Sequence, residues 1–443
     1  MRSDSGEESL GTPPAAIPAP SLHKKTHGNT HWTSEDTKMP EYKGIEFLRN
    51  KLAQKRSRID IRYRFYEMKH FAADMKISTP PALRGWMASF GWCGKAVDSL
   101  ADRLVLRTFE NDTYGISDIY LMNNQDVLSD SAILGALICA CSFIYISQDE
   151  DGFPQMRVID GRDATGCIDP ITNMLTEGYA VLESNKLTGT PTVEVYLLPY
   201  ETQTYVEGKL TGTFKHPAPY PLLVPVIYRP DAKRPFGHSR ISRACMDYQD
   251  IAARTVKRSE ISAEFYSFPQ KYVLGMDPDA DQMDKWKATM SSMLRFDKDE
   301  DGDRPAVGQF QAASQSPHAE QLRMIAGLFA GETGLTLDDL GFPSQNPSSS
   351  EAIKASHESL RLTARKAQRT LETGFLNAGY LAACLRDGTD YKRNQIARTK
   401  VCWEPIFEPD ITALGAVGDA VGKIQAAFPD YFTEAKLRDL TGI

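Results

Sequence analysis

Between Ser349 and Arg386 the chain carries one sustained amphipathic helical pattern, and no other feature restricts its fold as much. Ile353, Leu360, Ala364, Ala367, Leu371, Ala378, Ala382 and Leu385 recur at spacings of three, four or seven, so they fall in one stripe of a helical wheel. At about 1.5 Å per residue this rod spans about 57 Å. Ser348 and Glu351 fit a capping box at its start, Gly388 is a natural stop, and Gly374 or Gly379 are the places where it can bend. The segment in front of it, Pro343, Ser344, Gln345, Asn346, Pro347, Ser348 and Ser349, is small, polar and uncharged. Beside the apolar stripe runs a basic one: Lys354, His357, Arg361, Arg365 and Arg369.

The rest of the chain alternates between helical and strand patterns. An Arg-rich amphipathic helix is expected over Tyr42–His70, a second from Trp86 ending in "DSLADRLVLRTF", and a third over Ile116–Leu137. Then come a buried segment, a strand, an Asp151-Gly152 turn and a return strand. Further strands are expected at Tyr179–Glu183, Thr192–Leu197 and Thr202–Glu207, with the proline-rich "PLLVPVIYRP" as an edge or connector. Ser239–Tyr266 is a long helix that Pro269 ends, and a further helix starts at Ser316-Pro317 and stops near Gly334. Between them, residues 271–303 form a small acidic module with a short helix around Trp286, followed by a strand at Val307–Phe310. A strand at Lys400–Ile406 and a helical end over Ile411–Leu440 close the chain.

With 443 residues the chain has room for about three domains. A formal net charge of −7 excludes a protein that clamps nucleic acid by charge alone. Seven scattered cysteines, mostly in apolar runs, indicate reduced intracellular thiols, and Cys139 and Cys141 are read as core packing. The longest apolar run, Ala132–Ile146, is shorter than the roughly 20 residues a membrane span needs, and the N-terminus has no apolar signal core. His23, His27 and His31 lie in a Pro-, Ser- and Gly-rich stretch read as a disordered arm, and no metal is expected there. Asp297, Asp299, Asp301 and Gly302 match the early positions of a calcium loop, but Gly308 stands where the closing Glu is needed. No phosphate-binding glycine loop, nucleophile elbow or zinc-protease motif occurs. No catalytic residue, metal or cofactor is assigned.

Three stretches in this order carry a resemblance: "ACMDYQDIAARTVKRSEISAEFYSFPQKYVLG", then "VGQFQAAS" running into the 316–334 helix and "TGLTLDDLG", then "NPSSSEAIKASHESLRLTARKAQRTLE". The chain resembles the portal proteins of tailed double-stranded-DNA phages, of the long-tailed siphophage type, from about Tyr42 to its C-terminus. The resemblance implies an α+β portal fold: a disordered arm 1–40, a mixed α/β wing 41–238, a first stem helix 239–267, a clip 268–316, a second stem helix 317–341, a tunnel loop 342–349, a long tunnel helix 350–388, and a C-terminal wing strand with a small helical crown over 389–443. It also implies a ring of twelve copies at one capsid vertex of the virion, assembled in the host cytoplasm. Double-stranded DNA would pass through the ring in packaging and ejection. The expected partners are the terminase large subunit, then a head–tail adaptor protein, the major capsid protein and any scaffold protein, with no membrane.

On that reading the polar loop Pro343–Ser349 borders moving DNA. It offers contact with little counterion release, and its prolines limit its ordering cost. Some of Lys354, Arg361 and Arg365 face the channel, or the stripe pairs with neighbouring acids or is solvated; the sequence leaves both open. Asp297, Asp299, Glu300, Asp301 and Asp303 of the clip either face adaptor and terminase or keep an exposed turn soluble. The rival is an intracellular metal-dependent phosphoryl-transfer or nuclease enzyme built on Asp247, Asp250, Glu260 and Glu264.

Overall fold

The computed structural model describes residues 42–73, 79, 81, 84–267, 271–274, 306–309, 314–343, 350–407, 411–428 and 431. The expected arm 1–40, the helix around Trp286, the acidic turn 297–303 and the loop residues 344–349 lie outside them.

The N-terminal helix α1 (Ile45–Tyr66) joins two separate apolar clusters. Its first half sets Leu48 and Leu52 against Tyr179, Val181 and Tyr196. Its second half sends Ile59 and Phe65 into the main core. Tyr179, Val181 and Tyr196 stand on an antiparallel five-stranded sheet, in the order β4 (Ala164–Ile168), β5 (Leu175–Ser184), β6 (Pro191–Leu198), β7 (Glu201–Val206), β8 (Lys209–Lys215). The outer edge of β4 is covered by α1 itself: the Lys51 and Lys55 ammoniums donate to the Gly166 and Ala164 carbonyls, each at 2.7 Å. A cation on an edge carbonyl both satisfies it and bars another strand.

The main core gathers α2 (Trp92–Ala101), α3 (Ile116–Met122) and α4 (Gln125–Cys139) around a three-stranded antiparallel sheet. In that sheet β2 (Cys141–Gln148) lies between β3 (Pro154–Ile159) and β9 (Leu223–Ile227). The edge position expected for the proline-rich segment is found, with Pro225 opposite Phe143. The Asp-Gly turn is present too, with Gly152 at φ 81°.

Several helical expectations are corrected. "RLVLRTF" does not continue its helix: α2 ends at Ala101, and β1 (Leu106–Glu110) pairs antiparallel with β12 (Lys400–Trp403). The β-branched and aromatic residues there find a partner almost 300 positions away, which outweighs local helical spacing. The pattern over Ile116–Leu137 is two helices, broken where Asn124 takes φ 53°. Asn123 secures the break, since its amide donates to the Ile119 and Pro154 carbonyls and its oxygen accepts from the Met156 amide. The helix expected from Trp86 begins only at Trp92, and β4 and β8 have no counterpart in the sequence reading.

The remaining helices are α5 (Arg243–Ser267), α6 (Ser316–Thr333), a short α7 (Ser350–Ser356), α8 (Glu358–Asp387), the single turn α9 (Arg393–Ile396) and α10 (Ile411–Ala427). The rod is thus not one helix: it is interrupted at His357, and α8 measures about 45 Å. Neither glycine of α8 marks the interruption. A Cβ at Gly374 would lie 3.0 Å from the Val226 Cα and 3.1 Å from the Pro225 carbonyl oxygen, and one at Gly379 only 2.4 Å from an Ile116 methyl. Both let α8 lie close against β9 and α3. Leu360, Ala364, Ala367, Leu371, Ala378, Ala382 and Leu385 are buried as the stripe requires, whereas Ile353, on α7, is half exposed. Among the described residues no helix is long and apolar enough to cross a membrane.

Candidate functional site

Helices α5 and α6 form an antiparallel pair. At one end Ser242, just before α5, donates to Glu332 near the end of α6 at 2.8 Å; at the other, Ser259 of α5 donates to Gln315, just before α6, at 3.3 Å. Both helices bury small and apolar side chains, Ala252, Ala253 and Thr255 on α5 and Ile325, Ala326, Phe329 and Ala330 on α6. Beyond the helices β10 (Lys271–Leu274) and β11 (Ala306–Gln309) pair antiparallel, Lys271 opposite Gln309 and Leu274 opposite Ala306. The chain leaves one helix, forms a two-stranded base for the acidic segment and returns down the other. Asp297, Asp299, Glu300, Asp301 and Asp303 lie between those strands and outside the described residues.

The opposite end of the pair is anchored to α2 by Arg240. Its buried guanidinium donates to the Ala96 carbonyl at 3.3 Å and to the Thr333 carbonyl at the end of α6. Gly334 ends α6 in the left-handed conformation, φ 72°, the stop expected there.

From Gly334 the chain turns through Thr336–Leu340 toward the polar loop. Asp339 closes this turn by accepting from the Thr336 amide and hydroxyl, both at 2.9 Å. The interruption of the rod lies directly across from it: His357 Nε2 is 3.4 Å from Asp339 Oδ2, and the ring's other nitrogen faces the Ile353 carbonyl at 3.0 Å. Burial alone would raise the Asp339 pKa, but the Thr336 hydrogen bonds and the His357 ring outweigh it and hold the carboxyl below its ordinary value. Asp339 and His357 therefore clasp the base of the loop from its two sides. The sequence places His357 in the basic stripe without joining it to an acid. No spacing rule links two groups across a loop.

Of the loop residues, Pro343 is described and exposed; Ser344, Gln345, Asn346, Pro347, Ser348 and Ser349 lie outside the described residues. Of the basic candidates, Arg361 is held by its own helix, with two bonds of 2.6 Å to Glu358. Arg365 is exposed and its charge also bears on Glu358, while Lys354 is exposed on α7. The acids of the rival enzyme reading do not converge. Asp250 pairs with His70 at 3.2 Å, and among the described residues no group of three or more His, Cys, Asp or Glu side chains could hold a metal. Cys139 and Cys141 are buried, and the Cys139 thiol faces Asp160 at 3.3 Å.

Residues 45–413 match the family described as phage portal protein, SPP1 Gp6-like. The portal protein of Mycobacterium phage L5 is 24% identical over 385 residues, covering 81% of this chain and 77% of that one. The portal protein of Mycobacterium phage D29 is 24% identical over 384 residues with the same coverage. Among solved structures, the chain is similar to one in the virion of a native gene transfer agent particle, with TM-score 0.43, 14% identity and coverage of 80% of this chain and 89% of that one. It is also similar to one in the neck of the empty particle, with TM-score 0.44, 13% identity and coverage of 80% and 90%. Those overlays are too loose to carry the assignment, which rests on the sequence matches. With its paired helices on a two-stranded base, a turn clasped at the root of a polar loop and a long helix behind, this chain belongs to the SPP1 Gp6-like family of phage portal proteins.

Proposed function

We propose that this chain closes with copies of itself into a ring of twelve at the portal vertex of a virion, with duplex DNA passing along its axis. The observation that carries the reading is the antiparallel α5–α6 pair, capped by a two-stranded base at one end and leading into the clasped loop at the other. That arrangement makes a stiff wall from which two different surfaces project. The acidic segment between β10 and β11, with Asp297, Asp299, Glu300, Asp301 and Asp303, is then the clip that meets the terminase large subunit and afterwards a head–tail adaptor. The wing meets the major capsid protein and any scaffold. Assembly takes place in the host cytoplasm.

Residues 343–349 touch the moving duplex without holding it, because uncharged polar groups release few counterions. The clasp of Asp339 and His357 fixes where that loop starts and ends. Arg361 adds little grip, since its guanidinium is already engaged by Glu358. No catalytic step is assigned to the chain.

Native mass spectrometry with negative-stain imaging tests the ring: closed rings near twelve copies with an axial hole of about 20 Å are expected. A protein that stays monomeric even when co-expressed with capsid and scaffold proteins would refute it. Deleting Pro343–Ser349 should leave the rings intact and lower the DNA retained per particle, read by quantifying DNA in purified particles. Particles with normal DNA content would remove the loop from the mechanism.

A further inference from the structure

A cavity of about 430 Å³ lies between α8 and the segment that follows it, through α9 to Thr399. One wall is a single face of α8, on which Leu376, Asn377 and Tyr380 stand three, four and seven positions beyond Thr373. The facing wall includes Arg393, Ile396 and Thr399. Leu376, Tyr380 and Ile396 make much of the lining apolar. The volume falls in the range of small-molecule sites, about 300–1,000 Å³.

The chain itself already uses two of the polar groups on these walls. The Tyr380 hydroxyl donates to the Tyr391 carbonyl at 2.6 Å, and the Thr399 hydroxyl to the Asn111 carbonyl at 3.2 Å. Asn377 and Arg393 differ. Asn377 is only 5% exposed, yet its side-chain amide makes no hydrogen bond to any described residue. Burying an amide without a partner is costly, and what this amide lines is the cavity. Arg393 is half-buried and makes neither an ion pair nor a hydrogen bond with its side chain among the described residues. The one acid that its charge bears on, Asp169, spends its oxygens on the Thr172 hydroxyl at 2.6 Å and on the Ile171 and Thr172 amides at 3.1 and 3.2 Å.

We propose that this cavity binds a small organic acid, a single carboxylate carried on an apolar body. The guanidinium fork of Arg393 matches the two oxygens of a carboxylate, and one unpaired cation balances one negative charge. A phosphate monoester would bring nearly two charges to that single cation. The Asn377 amide can both donate and accept, so it takes a second polar group of the ligand. Leu376, Tyr380 and Ile396 enclose the body.

Saturation-transfer NMR and calorimetry on the full chain would use 4-hydroxybenzoate, with 4-hydroxybenzamide as a probe of similar shape that lacks the charge. An acid of about ten non-hydrogen atoms should bind the wild type with Kd on the order of 1 mM, and the amide more weakly. Arg393→Gln should weaken the acid about tenfold and leave the amide unchanged. Asn377→Leu should weaken both probes while the urea midpoint of the free chain holds, because the lost amide has no protein partner. No saturation by 4-hydroxybenzoate up to about 10 mM, or equal acid binding by the wild type and R393Q, would overturn the proposal. So would a lower midpoint in N377L with both probes still bound, since Asn377 would then serve the packing of α8 alone. Arg393 lies toward the surface, so R393Q carries the test even if N377L fails to fold.

Discussion

Replacing Leu371 with Asp should leave almost no soluble folded protein, while the same change at Leu362 on the same helix should be tolerated. Leu371 is fully buried and belongs to the main core, whereas Leu362 is 54% exposed. Truncating a core leucine costs about 2–5 kcal/mol by itself. A carboxylate there adds several kcal/mol more, because no described cation is placed to meet it. The sum rivals the whole stability of a domain, about 5–15 kcal/mol. At Leu362 the change should stay within about 0.5 kcal/mol. Soluble yield and far-UV circular dichroism of the two variants decide the point, and equal yields would show the face of α8 to be wrongly assigned. The stripe faces the chain's own core, so Leu371→Asp or Leu360→Asp acts before any ring forms.

The second large effect is expected at Glu194, a buried carboxylate of the five-stranded sheet. It accepts from the Arg49 guanidinium at 3.2 and 2.5 Å and from the Tyr179 hydroxyl. Burial by itself lowers the Arg49 pKa, and the hydrogen bond and charge of Glu194 more than reverse it. One strand over, Glu177 accepts from the Lys43 and Gly44 amides at the start of α1, each at 3.1 Å, and from the Tyr196 hydroxyl at 2.9 Å. These two acids fasten the first turns of α1 to the sheet. Glu194→Ala leaves the Tyr179 hydroxyl buried without its acceptor and Arg49 with only the exposed Glu46. The expected loss is about 3 kcal/mol, the low end for breaking a buried pair, because Arg49 keeps some contact with water. Glu46→Ala, at the exposed end of the same arginine, should cost under about 1 kcal/mol. Urea midpoints measure both, and similar shifts would mean that burial of Glu194 contributes nothing.

The sequence determined by itself whatever is local along the chain. The stops at Gly334 and Gly388 are found, each glycine in the left-handed conformation that a side chain would oppose. Strands β5, β6 and β7, the Asp-Gly turn, helices α5 and α6, the strand that follows the acidic segment, and the apolar stripe of α8 follow from residue type and periodicity, whereas β10 reads as part of the acidic module. The order of those elements was enough to point to the portal family.

What only the tertiary structure decided are the pairings between distant segments. β1 was lost to a helical pattern because its partner β12 lies at the other end of the chain. The break at Asn123 depends on β3, and the close approach at Gly374 and Gly379 depends on β9 and α3. The Asp339–His357 clasp brings together two groups that no spacing connects. Periodicity reports which face of a helix is apolar because that is a property of neighbours three and four apart. It is silent on what the face meets, since that is fixed by contacts across long loops, and a loop can join almost any two ends at nearly the same entropic cost.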